Sequence, residues 1–215
     1  MAKRKKKAPK KKQEGGAFQP FEAEITLFSI VDFMLCQTMV PMEMVDALNV
    51  ELDRVRADKN KESHGHTLVG QMKKGEQLGL PRENPVFGKV YSMVEQLAMT
   101  YVEAFGKQTA LTEEIPWVGA QCKDLWSVHM FAGDYNPMHD HGCDTEGGMS
   151  FVMWTRVPEN MRNEGADNLF NSSGYLDGCI KFSNGPFAQR GPMQFRPPKV
   201  LDIVPEPGKF VIFPH

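Results

Sequence analysis

From Trp126 to Phe213 the chain is a succession of short β-prone runs separated by stretches rich in Gly, Pro and Asn. That pattern commits the second half of the molecule to a β-sandwich or barrel. Trp126–Phe131 ends at Gly133, and Tyr135–His141 reads as a second strand cut early by Pro137. Met149–Arg156 is bounded by Gly147-Gly148 and Pro158. Gly178–Phe182, Val200–Val204 and Lys209–Phe213 complete the series, with loops over Asn160–Gly174 and Asn184–Pro198.

Helices precede these strands. Pro41 opens a segment with apolar residues at Met44, Val45, Leu48, Leu52 and Val55, one helical face with proline in its first turn. After Asn84-Pro85, the residues Val90, Met93, Val94, Leu97, Tyr101, Val102 and Phe105 form a second apolar stripe, with Gly106 as its stop signal. Such a stripe packs on a sheet; it is not a cofactor box. Between the helices, Asp58–His66 is charged and polar, hence a loop, and an early strand is expected within Glu24–Leu35. The reading is an α+β domain over 17–215, helical over about 41–107 and β over about 117–215.

At 215 residues and 41% hydrophobic content, the chain can bury one sizeable core. No apolar run approaches the roughly 20 residues of a membrane span. The basic N-terminus lacks a following apolar stretch, so it is not a secretory signal. Cys36, Cys122, Cys143 and Cys179 are far apart, which fits reduced thiols better than a disulfide framework. A soluble, cytoplasmic protein is expected, with no membrane partner.

Charge is unevenly distributed. Residues 1–12 carry eight Lys or Arg and no acid, and positions 13–215 carry a net charge of -10. A like-charge block repels itself, so residues 1–16 are expected to form a disordered basic tail ending near Gly15-Gly16. It is either simply solvated or touches nucleic acid or another polyanion by counterion release. The acidic body argues against a nucleic-acid face on the folded domain.

Chemistry concentrates between Asp134 and Asp144. In a strand, residues i and i+2 share a face, so His139 and His141 can converge on one ion while Asp140 faces away. Neutral imidazole suits iron, nickel, copper or zinc, and two histidines with a carboxylate leave open positions on non-haem iron. Cys143 is either a further ligand or a small side chain at the mouth of a sheet. A His-x-His pair is a weak signal taken singly. His64-Gly65-His66, in a charged loop, reads as a coincidence, and His129, in a strand, as a hydrogen-bonded core residue. Trp126, Tyr135, Asn136 and Trp154 are candidates to line a pocket, with packing as the competing role of each.

Three motifs together carry a resemblance. Tyr135–Gly142 (YNPMHDHG), Met149–Trp154 followed by Val157-Pro158-Glu159, and Pro207–Pro214 (PGKFVIFP) resemble 2-oxoglutarate- and Fe(II)-dependent oxygenases, the kind common in marine phages and bacteria. Leu68–Glu76 is similar to an N-terminal stretch of those proteins, so the likeness covers about residues 65–215. It implies a jelly-roll double-stranded β-helix carrying two packed helices, Fe(II) and 2-oxoglutarate as cofactors, and hydroxylation of an unidentified substrate. If phage-encoded, the protein would work in the host cytoplasm. His139 stands at the family's first metal histidine. His141 stands where most members carry Asp or Glu, which leaves Asp140 or Asp144 as the third ligand, Asp140 through a bulge. His215 is a weaker candidate, standing several residues early for the family's distal histidine. The 2-oxoglutarate arginine has no match. The resemblance therefore implies a barrel incomplete at the C-terminus and a chain without turnover. Two rivals stand beside it: a non-catalytic jelly-roll binding or structural module, and a cupin-like metal enzyme without 2-oxoglutarate.

Overall fold

The structure, a computed structural model, describes residues 26–30, 33–65, 74–109, 119–137, 139, 148–159, 178–184 and 199–214. Its centre is a run of four consecutive buried apolar residues, Phe210–Phe213, within strand β8 (Lys209–Pro214). Two other segments flank it. Strand β2 (Phe33–Met39) pairs antiparallel with one edge, placing Cys36 opposite Ile212 and Thr38 opposite Phe210. Strand β5 (Met149–Met153) pairs antiparallel with the other, placing Phe151 opposite Ile212. Strand β1 (Thr26–Ile30) forms a hairpin with β2 and completes a four-stranded sheet in the order β1-β2-β8-β5.

Period-two alternation gives this sheet two apolar faces. Met34, Cys36, Phe210 and Ile212 lie on one and join helix α1 (Met42–Ala57) and helix α2 (Pro85–Thr109) in the larger core. Leu35, Val211 and Phe213 lie on the other. They pack against Phe182 and Ile203 of a second antiparallel pair, β6 (Ile180–Asn184) with β7 (Lys199–Ile203). The Phe182 and Phe213 rings meet edge to face, with centroids 4.8 Å apart. The result is three layers: helices, a four-stranded sheet and a β-ribbon. Among the described residues the strands do not close into a barrel.

The helices form where their local chemistry directs. In α2, Asn84 Oδ1 accepts from the N–H groups of Val86 (2.9 Å) and Phe87 (3.3 Å), and Pro85 takes the first turn. Val90, Met93, Val94, Leu97 and Tyr101 are buried, with Val102 and Phe105 packed against them. Each buried side chain of this size contributes about 1.5–3 kcal/mol. Tyr101 also donates its hydroxyl to the Met34 carbonyl at 3.1 Å, and burial pushes its pKa up to about 12, so it stays a donor. Helix α1 buries Val45, Leu48 and Leu52 and is joined to α2 by Asn84 Nδ2 donating to Glu51 Oε2 at 2.8 Å.

Two further strands stand apart. Strand β3 (Glu76–Gly79) and strand β4 (Trp126–His129) pair antiparallel, with Glu76 opposite His129. The loop before β3 is drawn in by a bridge between Ser63 and Leu78 and by the His64 N–H on the Gln77 carbonyl at 2.8 Å. Turning into β8, Gly208 has φ +87°, and a Cβ there would stand 2.9 Å from the Val40 carbonyl oxygen. Only glycine allows that approach.

Several expectations need correction. The early strand expected within Glu24–Leu35 is a hairpin, β1 and β2, that joins the central sheet, and the stretch expected to be helical also holds a short strand, β3, between the two helices. Helix α2 runs past Gly106 to Thr109, since Gly106 is buried in the packing and does not cap the helix. The strand expected over Tyr135–His141 is not formed by the residues described there: Tyr135 makes an isolated β-bridge, and Asn136, Pro137 and His139 are in no strand. Pro137 lacks the N–H a ladder needs. The basic tail lies outside the described residues, as does His66.

One buried polar atom is out of place. Thr38 is 3% exposed, and its Oγ1 has no hydrogen-bond partner among the described residues. Burying an unpaired hydroxyl costs about 1–3 kcal/mol. Thr38→Val is therefore expected to stabilise the protein by about 1 kcal/mol. A lower denaturation midpoint in urea would contradict that.

Candidate metal centre

The path from β4 to β5 carries His139. Just past β4, the chain turns through Gly133 (φ +88°), with the Asp134 N–H on the Phe131 carbonyl at 2.9 Å. Asp134 Oδ2 accepts from the Phe131 N–H, also at 2.9 Å, and closes the turn reciprocally. Asp at such a turn competes for the backbone and stops the strand. The turn delivers Tyr135, Asn136 and Pro137, and His139 follows in coil with an exposed side chain.

The His139 ring is oriented by its own neighbour. Its Nδ1 lies 2.8 Å from the Pro137 carbonyl oxygen. A carbonyl can only accept, so Nδ1 carries the proton and, in the neutral ring, Nε2 carries the lone pair. Histidines that bind metals are typically held in this way, with the second nitrogen on a carbonyl or carboxylate.

His141, Asp140, Asp144, Cys143 and His215 lie outside the described residues. Among the described residues no group of three or more His, Cys, Asp or Glu is arranged to hold a metal ion. The pocket candidates separate. Trp154 is half-buried and packs, as Val152, Ile180 and Leu201 do, against the cluster of Leu35, Phe182, Ile203, Val211 and Phe213 between the sheet and the β6–β7 ribbon. Its backbone is locked to the turn into β8, with the Gly208 N–H on the Trp154 carbonyl at 2.8 Å. Trp126 belongs to the β3–β4 ribbon and is 47% exposed, and Tyr135 is 62% exposed. The Trp126 indole can only donate, so the Gln77 amide presents its oxygen to Nε1 at 3.1 Å and its nitrogen to the His64 carbonyl at 3.2 Å. Asn136 is half-buried.

No family model, curated protein or solved structure matches the chain.

A co-substrate with two carboxylates would need a cation. Each described arginine already faces a carboxylate: Arg54 on Glu51, Arg56 on Glu76, Arg82 on Glu95 and Arg156 on Asp53. None of these four is available to an incoming anion without breaking a pair.

A charged cluster beneath the β3–β4 ribbon has no local sequence signal. Arg156, just after β5, grips both Asp53 oxygens of α1 at 2.6 Å and donates to the Asn49 carbonyl at 3.2 Å. Asn49 Nδ2 donates back to the Thr155 carbonyl at 3.1 Å. Glu76 receives Lys61 at 3.0 Å and Arg56 at 3.3 Å. The Arg156 hydrogen bond holds the Asp53 carboxyl below its usual range, and the Lys61 hydrogen bond does the same for Glu76. His129 lies in this cluster as a half-buried strand residue, its Nε2 3.0 Å from Ser127 Oγ. Burial, then Arg56, pushes its pKa down. Burial also raises the Cys36 thiol to about 11 and raises Cys122, which makes both poor nucleophiles. No helix among the described residues is long and apolar enough to cross a membrane.

Proposed function

We propose that the protein is a 2-oxoglutarate- and Fe(II)-dependent dioxygenase that hydroxylates an unidentified substrate. One observation carries the reading: His139 Nδ1 is committed to the Pro137 carbonyl, which puts the lone pair on Nε2, the form of imidazole that binds a divalent metal. The donor chemistry of the segment fits iron. His139 and His141 would supply imidazole nitrogens, and Asp140 or Asp144 the carboxylate of a facial triad. When bound, iron and 2-oxoglutarate supply the oxidising power that side chains lack.

The chain's own residues position and shield. The turn closed by Asp134 sets where the His139 segment leaves β4. The sheet face bearing Trp154, Val152 and Phe213 is apolar and faced by the β6–β7 ribbon, which supports a jelly-roll plan with a dry interior. A low-polarity wall limits water near a reactive centre.

The test is succinate release from 2-oxoglutarate by the full-length protein, with Fe(II) and oxygen each omitted in turn. Release that requires both is expected. No release from folded protein that binds Fe(II) sinks the dioxygenase reading and leaves a cupin-like metal site without 2-oxoglutarate. Failure to take up metal leaves a jelly-roll binding module.

A further inference from the structure

The densest positive charge in the chain plays no part in the candidate metal centre. Lys3–Lys12 carries eight Lys or Arg, and Ala8 and Pro9 are its only uncharged residues. Positions 13–215, by contrast, carry a net charge of -10. Among the described residues, most cations of that acidic body already face carboxylates. Arg54, Arg56, Arg82 and Arg156 do so, as do Lys61, Lys181 and Lys209. The other described lysines, Lys59, Lys74, Lys89, Lys107 and Lys123, are scattered along the sequence. No described stretch therefore competes with Lys3–Lys12 for a polyanion.

We propose that Lys3–Lys12 binds nucleic acid through its phosphates, without reading base sequence, and tethers the acidic domain to it. A DNA duplex carries one negative charge per about 1.7 Å of axis, and each cation that meets a phosphate releases condensed counterions. All but one of the eight cations, Arg4, are lysines. An ammonium on a flexible stem is a point charge for phosphate and lacks the planar fork that reads guanine. A membrane is the weaker fit. Stable attachment there takes an apolar signal besides the basic one, and Lys3–Lys12 has no apolar side chain beyond Ala8 and Pro9 to insert.

The fold makes a tether compatible with an acidic body. The described chain begins at Thr26, the first residue of β1, an outer strand of the four-stranded sheet. Residues 13–25 stand between that strand and the basic run. Such a length can reach up to about 45 Å. The Debye length is about 10 Å at 0.1 M salt, so phosphates held by the run are largely screened from the body's negative charge. Strand β5, which follows the His139 segment in sequence, is the opposite outer strand. The tether is thus attached across the sheet from it. This binding is independent of the dioxygenase reading and needs neither iron nor 2-oxoglutarate.

Fluorescence anisotropy of a labelled DNA duplex of about 20 base pairs, titrated with the full chain without metal, tests this. Log affinity should fall linearly with log salt, with a slope steeper than about -4 and a ceiling near -7 for eight phosphate contacts. Replacing all eight Lys and Arg of the run by Gln should weaken binding at least about 100-fold at about 50 mM salt. Equal binding by that variant overturns the proposal, as does a shallower slope or no binding by the unaltered protein at about 20 mM salt. Tighter binding to vesicles of phosphatidylcholine and phosphatidylserine than to the duplex, at equal salt, assigns the run to a membrane and also overturns it. Should the variant fold poorly, the salt slope of the unaltered protein decides the matter.

Discussion

Alanine in place of His139 is expected to abolish Fe(II) binding and leave folding unchanged. The ring is exposed and lies in coil, so its loss removes little packing, and its Nδ1 is held by the carbonyl two residues before it. The metal, by contrast, loses a nitrogen donor whose tautomer was already set. Mutating an outer-shell partner typically costs 10–100-fold in affinity, so losing a ligand itself should cost more than about 100-fold. Anaerobic calorimetric titration with Fe(II) measures this, and the thermal midpoint checks the fold. Unchanged affinity would place the metal elsewhere and remove the main support for the dioxygenase proposal. Loss of affinity together with a lowered midpoint would show instead that the ring holds the loop.

Phe210→Ala is expected to be the most damaging single change to stability. Phe210 is fully buried on β8, between β2 and β5, and its ring stacks on Phe151 with centroids 5.4 Å apart. It sits where the sheet meets both helices, so little can move in to fill the space. Such truncations cost about 3–5 kcal/mol. A domain of this kind has about 5–15 kcal/mol in total, so the variant should be close to unfolding at ordinary temperature. Val50→Ala, on the exposed side of α1, is the control and should change stability by less than about 0.5 kcal/mol. Similar urea midpoints for the two variants would mean that the face of β8 is not packed as described.

The helices were legible because their signals are local. Pro41, the Asn84-Pro85 pair and two apolar stripes lie within a few turns of the residues they direct, and both helices form there. The strands of the second half were legible as runs: β4, β5, β6, β7 and β8 fall within or beside the segments expected. β3 was missed, since four residues reading Glu-Gln-Leu-Gly carry neither length nor alternation. The candidate metal site was legible as residue types at a spacing. The assumption behind that spacing, an extended strand through His139, does not hold for the described residues there. What orients His139 is the carbonyl of Pro137, the residue that also breaks the strand.

Residue order alone was enough for the two helices, their apolar faces and the longer β runs, because backbone sterics, capping and burial preference act over a few residues. It could not say that β8 would pair with β2, more than 170 positions earlier, or that Arg156 would grip Asp53. Those partnerships join segments that share no local pattern. They are chosen when two apolar faces of one sheet must be covered at once, by the helices on one side and the β6–β7 ribbon on the other.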